Sequence, residues 1–107
     1  MRQTKKARLE RKGWKIGGAQ ELLQLSDEEV AYIELKLALS DRLRSLREKR
    51  AITQVEMAKM IRSSQSRVAK MESGDPSVSI DLLVKALLAL GATRRQIAGA
   101  MAASRAA

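Results

Sequence analysis

The chain has 107 residues, the size of one small domain, and its 21 Lys and Arg against 12 Asp and Glu give a net charge of +9. It contains no His and no Cys, which excludes disulfides, thiolate or imidazole metal sites and the most common general base. The positive charge favours a polyanionic partner, nucleic acid ahead of an anionic membrane, with simple solubility as the alternative.

The sequence has neither a long apolar run nor a secretory leader. No stretch approaches the ~18 apolar residues of a membrane span, and no signal-peptide core is present. A phosphate-binding loop and paired catalytic acids are also missing from the pattern. We therefore expect a cytoplasmic protein that is not an enzyme, needs no cofactor and does not bind membranes.

The N-terminal segment begins with a basic arm, in which residues 1–12 carry six basic residues and one acid. Thr4 could cap a short helix that Gly13 ends. A glycine-rich turn with Trp14 and Ile16 follows, and then a short apolar helix over 19–25. The arm has three interpretations: a DNA groove or phosphate contact, a protein contact, or a solubilising tail without structure.

Capping boxes, in which Ser or Thr is followed three residues later by Glu or Gln, occur where three apolar periodic stretches begin. The pairs are Ser26 with Glu29, Thr53 with Glu56, and Thr93 with Gln96. Together with Gly and Pro stops, they predict helices over 27–50, 54–61, 64–72, 80–90 and 94–103. No segment alternates with period two, so no strand is predicted and the fold class is all-α.

The most informative stretch is 53–74, TQVEMAKMIRSSQSRVAKMESG. Its two helices have small and apolar residues on their inner faces, at Met57, Ala58 and Ile61 and then at Val68 and Met71. One interpretation is a helical hairpin in a core. The small Ala58 also suits two helices that cross closely at a steep angle.

The outer face of the second helix favours DNA over a plain hairpin. It carries no acid, whereas a solvated face usually mixes both signs of charge. Its members are Ser66, Ala69, Lys70 and Ser73, with Gln65 and Arg67 on the flanks. Amide, cation and hydroxyl groups of this kind can bond base edges in the major groove.

This stretch closely resembles the helix-turn-helix of the Xre/Cro/C1 repressor family, which includes the lambdoid phage repressors. The resemblance implies a five-helix lambda-repressor-like DNA-binding bundle, preceded here by an N-terminal helical extension. One departure is Arg62, which stands in the turn where the family often has glycine, and a left-handed backbone there would cost ~1 kcal/mol.

The resemblance also implies roles for individual residues. The base-contacting set would be Gln65, Ser66 and Lys70, with Arg67 contacting either a base or a phosphate. The phosphate-contacting set would be Gln54, Ser64 and Ser73, with Arg62 as a further phosphate contact if the turn tolerates it. The partner would be double-stranded DNA and the function transcriptional regulation, as a repressor.

The chain divides into residues 1–35, the arm and extension, and residues 36–107, the DNA-binding domain. The extension is similar to that of small regulators identified as HigA-like antitoxins of type II toxin–antitoxin modules. This resemblance implies autorepression of the operon and neutralisation of a RelE-like ribonuclease toxin. Trp14, Ile16 and Tyr32 would be its apolar anchors, beside acids at 21, 27–29 and 34.

Alternatives remain open at both ends of the chain. In the alternative interpretation of the extension, it caps the protein's own core, in a stand-alone phage- or plasmid-type repressor with no toxin partner. At the C-terminus, Ile97 and Met101 among alanines predict an apolar patch that would form a homodimer, as the family commonly does. The alternative is one more core helix.

Overall fold

A computed structural model describes residues 26–103, which form five helices and no strand. The helices are α1 (Asp27–Lys49), α2 (Gln54–Met60), α3 (Gln65–Ser73), α4 (Ile80–Ala89) and α5 (Arg94–Ala103). The all-α prediction is confirmed, and each predicted helix is present to within a residue at either end. The basic arm, the helix over 19–25, Trp14 and Ile16 lie outside the described residues.

All three predicted capping boxes are present. In each, a hydroxyl accepts the backbone N–H three residues later, and the Glu or Gln side chain accepts the N–H of the capping residue. The Thr53 and Glu56 pair, for example, has bonds of 2.7 and 3.0 Å. Ser64 and Ser79 cap α3 and α4 by accepting one backbone N–H each. The sequence placed Ser64 inside α3, but its extended backbone makes it the N-cap.

The ends of α1 to α4 each carry a left-handed residue, and two of these are not glycine. They are Ala51 (φ 56°), Arg62 (φ 55°), Gly74 (φ 77°) and Gly91 (φ 93°). At the end of α2, the N–H of Arg62 bonds the Lys59 carbonyl at 3.3 Å and that of Ser63 bonds the Ala58 carbonyl at 2.8 Å. This double closure is a Schellman motif, and it holds Arg62 in the conformation that the family usually assigns to glycine.

The core forms around α1, which contacts α3, α4 and α5, while α2 packs on α3. Leu39 and Leu43 of α1 are fully buried against Leu83 and Leu87 of α4 and the inner residues of α2 and α3. No helix among residues 26–103 is long and apolar enough to cross a bilayer.

Two features of the fold bear on the sequence predictions outside the α2–α3 unit. Ile97 of α5 is only 8% exposed and belongs to the core, so its assignment to an apolar dimer patch is wrong. The side chain of Ile97 faces inward, because α5 packs against α1 as one more core helix. The helix α1 runs unbroken across residue 35, where the sequence analysis divided the chain, and that division stays a prediction.

Candidate nucleic-acid interface

The packing of α2 against α3 determines which side chains of α3 face outward. Met57 and Ala58 of α2, with Val68 and Met71 of α3, are at most 4% exposed. The opposite side of α3 is therefore open to solvent along its length. The exposed residues of this unit include Ser64, Gln65, Ser66, Arg67, Lys70 and Ser73.

The single acid of α3 is turned inward and neutralised. Glu72 is 5% exposed and accepts two hydrogen bonds from the guanidinium of Arg47 in α1, one of them at 3.0 Å. The guanidinium also donates to the Ile52 carbonyl at 2.8 Å. The hydrogen bond with Glu72 raises the pKa of Arg47, against the opposing effect of burial. The outer face of α3 consequently carries no acid.

Gln65 is connected to this ion pair through Gln54. The Gln54 amide donates to the Glu72 carboxylate at 3.1 Å, and the Gln65 amide donates to the Gln54 carbonyl oxygen at 2.7 Å. An amide has two donors and one acceptor, so Gln65 keeps a donor and an acceptor for an adenine edge. Sequence reasoning placed both glutamines on DNA but missed the bond between them and the role of Arg47. The inward position of Glu72 was the signal, because a buried carboxylate requires a cation.

On the other flank of α3 lies a polar cleft of about 220 Å³. One wall consists of α3 and its cap, and the other of Ser77 and Val78, in the segment 75–78 that leads to α4. The lining residues are Ser64, Ser66, Arg67, Lys70, Ser77 and Val78. Ser77 and Val78 were not predicted, since nothing in the local pattern shows that this loop faces α3.

The second wall of the cleft is a turn organised by Asp75. Its carboxylate accepts the Ser77 backbone N–H at 2.9 Å and the Ser77 hydroxyl at 2.6 Å. These bonds lower the pKa of Asp75, and the charges of Lys70 and Lys36 lower it further. Val78 is 5% exposed and anchors the turn in the core.

The residues predicted to contact phosphates differ in their surroundings. Arg62 is exposed in the turn between α2 and α3, and Gln54 is partly buried. The Ser64 hydroxyl accepts the Arg67 N–H as a cap. The Ser73 hydroxyl donates to the Lys70 carbonyl at 3.1 Å, so its proton is used within the helix.

Tyr32 is the one predicted partner-binding residue within 26–103. Its ring is 49% exposed on α1, and the Lys36 ammonium lies 5.9 Å from the ring centroid. An exposed aromatic side chain of this kind can pack against another protein.

Two short helices packed at a turn, with the outer face of the second helix exposed and a third helix behind them, are the arrangement of the helix-turn-helix class of DNA-binding domain. A family model described as Helix-turn-helix matches residues 43–97, from the middle of α1 to α5. The chain therefore belongs to the helix-turn-helix family of the Xre/Cro/C1 type and is a DNA-binding regulator of transcription. No curated protein and no solved structure matches the chain.

Proposed function

We propose that the protein is a sequence-specific repressor that places α3 in the major groove of double-stranded DNA. The observation that carries this proposal is the composition of the outer face of α3. The face presents an amide, hydroxyls and two cations, while Glu72, the acid of α3, is buried against Arg47. A repelling charge is thus removed from the surface that would meet the polyanion.

The proposed roles follow from the chemistry of each side chain. Gln65 bonds adenine N6 and N7, Lys70 or Arg67 reaches guanine O6 and N7, and Ser66 bonds either base. The proposed phosphate contacts are Gln54, Arg62 and Ser64, together with Ser73 once its hydroxyl proton turns from the Lys70 carbonyl to the DNA. The protein acts in the cytoplasm, on the DNA of its own cell.

The repressor is proposed to act as a homodimer. Since Ile97 is in the core, the dimer surface must be built from what remains exposed on α4 and α5. Leu88 is 48% exposed, and Ala98, Gly99 and Ala102 are exposed as well. Two such subunits would place their α3 helices about 34 Å apart, and footprinting would then show an inverted repeat with that spacing.

The test of DNA reading compares a selected operator with random duplex. A binding site is enriched from a random library with the full chain, and Gln65→Ala is measured on both DNAs. We expect a loss of ~1–3 kcal/mol on the selected site and a much smaller loss on random DNA. Lys85→Ala on α4 serves as a control, because Lys85 is exposed and does not line the cleft.

Salt dependence provides a second measurement on the same samples. A dimer that engages some 6–10 phosphates should lose ~10³–10⁵ in affinity between 50 and 200 mM salt. A nearly flat titration would argue strongly against the proposal. Equal losses of Gln65→Ala on both DNAs would remove Gln65 from the base-reading set.

A second candidate function is that of an antitoxin, and one surface favours it. At the start of α1, Asp27, Glu28 and Glu29 are exposed near the half-exposed Tyr32, whereas the chain as a whole is basic. An apolar ring beside acids would suit a basic, RelE-like toxin, and the charge would speed association. Glu34, which the sequence grouped with these acids, is 6% exposed and does not belong to that surface.

The antitoxin proposal is tested by co-expression with the product of the adjacent reading frame. Deletion of residues 1–25 should abolish capture of that protein while operator binding persists at reduced affinity. Tyr32→Ala should weaken capture in the full chain, with Val55→Ala as a control for an exposed apolar side chain on another helix. Neutralisation of a toxin by the truncated chain would place the binding surface elsewhere, and an adjacent product that never binds would favour a stand-alone repressor.

A further inference from the structure

Lys36 of α1 is buried close to the DNA-facing side of the molecule. The residue is 6% exposed, and its ammonium donates to the Pro76 carbonyl at 3.3 Å. Burial lowers the pKa of Lys36, and the negative charge of Asp75 opposes this shift. Lys36 precedes the segment 43–97 that the family model matches.

The hydrogen bond from Lys36 to Pro76 connects α1 to the segment that leads into the second wall of the polar cleft. Asp75 and Pro76 directly precede the lining residue Ser77, and Asp75 holds Ser77 through two hydrogen bonds. Ser77 in turn faces Arg67 and Lys70 across the cleft. Hydrogen bonds therefore connect α1 to the wall of the cleft that also borders Arg67 and Lys70.

The position of the cleft on α3 distinguishes Arg67 from Gln65. At 100° per residue, the two side chains leave the helix about 200° apart, so they point to opposite flanks. Gln65 is on the flank that faces α2, and Arg67 lines the cleft. A cleft with two cations and three hydroxyls fits an anionic oxygen group better than the edge of a base.

We propose that Lys36 is a positioning residue for DNA binding. By holding Pro76 and Asp75, it fixes segment 75–78 so that the cleft receives one phosphate of the DNA backbone against Arg67 and Lys70. This inference rests on the proposed DNA-binding function, and it gives Arg67 a backbone contact in place of a base contact.

A buried lysine stabilises a fold less than an apolar side chain of similar size would. Its charge loses hydration and its long side chain loses rotamer freedom, whereas methionine would fill similar space without a charge. Lys36→Met should therefore leave the free energy of unfolding unchanged or raise it. A loss of DNA binding in that variant would come from the cleft and not from the fold.

The experiment uses the full chain on the selected operator and on random duplex, over a series of salt concentrations. Lys36→Met should weaken binding to both DNAs equally, by about tenfold, the effect of one charge-assisted hydrogen bond. The slope of log K against log salt should fall by about 1 for each phosphate released. Lys36→Arg, which keeps a donor, should restore both values, and Lys85→Met should change neither.

Two further variants test whether Lys36 acts through the cleft. Ser77→Ala alters the same wall without touching Lys36 and should reduce the salt slope in the same way. Arg67→Ala should weaken binding, and adding Lys36→Met to it should cause little further loss, because contacts that share one ligand are not additive.

The outcomes separate this inference from the function on which it rests. If the unmodified chain does not distinguish the operator and shows no salt dependence, the proposed function fails. If it binds as expected but Lys36→Met keeps the full salt slope, or if its effect adds fully to that of Arg67→Ala, the positioning role is overturned. A loss that tracks reduced thermal stability, with no rescue by Lys36→Arg, also overturns it.

Discussion

The two flanks of α3 are built in different ways. On the flank that faces α2, Gln65 is held through Gln54 to the buried pair of Glu72 and Arg47. On the opposite flank, Arg67 and Lys70 border an open cleft, in which Arg67 is exposed. Gln65 is thus held by three groups in series, Gln54, Glu72 and Arg47, whereas Arg67 is an exposed cation beside the cleft.

This difference separates two tasks of a DNA-binding helix. A side chain that is already ordered loses less conformational entropy on binding, so a held amide can discriminate one base from another. A long exposed cation adapts to the backbone and adds affinity that depends on salt but not on sequence. We therefore expect Gln65 to govern specificity and the cleft to govern affinity.

The largest expected effect comes from removing the buried ion pair of Glu72 with Arg47, which holds Gln54 and Gln65. Glu72→Ala leaves the Arg47 guanidinium, whose side chain is 13% exposed, without its carboxylate. Removing one partner of a buried pair destabilises by ~3–5 kcal/mol, because the remaining charge has no counter-ion. Chemical denaturation of the full chain measures this loss, and specific DNA binding should fall with it.

The control for Glu72→Ala removes both charges. Arg47→Met combined with Glu72→Leu should recover most of the stability, since apolar replacement of a whole buried pair is often neutral. Gln54 would still lack its partner, so discrimination between operator and random DNA should remain impaired in the double variant. If the double variant distinguishes operator from random DNA as well as the unmodified chain does, the hydrogen bonds that join Glu72, Gln54 and Gln65 are unimportant for specificity.

The features of the molecule that the sequence predicted are local ones. A capping box joins residues three apart, and an inner helical face repeats every three to four residues, so both can be read along the chain. The helix bounds and the inward faces of α2 and α3 are confirmed for that reason. The absence of an acid from the outer face of α3 was predicted in the same way, because Glu72 falls about 40° beyond Val68 on the helical wheel, at the buried edge.

The features that the sequence missed depend on residues far apart in the chain. Arg47 and Glu72 are separated by 25 positions, and Lys36 and Pro76 by 40. Their pairing follows from how α1 crosses α3, which no local pattern encodes. The same applies to Ile97, because its burial depends on where α5 packs against α1.

A smaller effect is expected at Arg62, on the turn between the two helices. Its φ of 55° is unfavourable for a side chain by ~1–2 kcal/mol, and glycine removes that strain but gives the unfolded chain more freedom. Arg62→Gly should therefore raise the free energy of unfolding by roughly 0.5–1 kcal/mol.

DNA binding by Arg62→Gly then tests whether Arg62, like the residues of the cleft, contributes to affinity through a phosphate contact. If Arg62 contacts a phosphate, the more stable variant should bind operator and random DNA more weakly and with a lower salt slope. Ala51→Gly is the matched control, because Ala51 has the same left-handed backbone and no charge. A gain in stability with unchanged binding would leave Arg62 without a DNA contact.

The smallest effect is expected at Asp75, the acid that binds Ser77 on the side of α3 where the cleft lies. Asp75→Asn keeps an oxygen that can accept the two bonds from Ser77 but removes a negative charge beside the proposed phosphate. Affinity for both DNAs should rise a few-fold at low salt, and the gain should shrink as salt screens the charge. Asp81→Asn changes the net charge equally, and it should have less effect because Asp75, and not Asp81, binds Ser77 of the cleft wall.

Stability provides a second comparison of Asp75→Asn with the unmodified chain, because the pKa of Asp75 lies below its ordinary value in the folded chain. Its contribution is present above the unfolded pKa and is lost as the pH falls through the folded pKa, so the two proteins should converge in stability in acid. Equal gains in DNA affinity from both substitutions would assign the effect to net charge and not to the cleft.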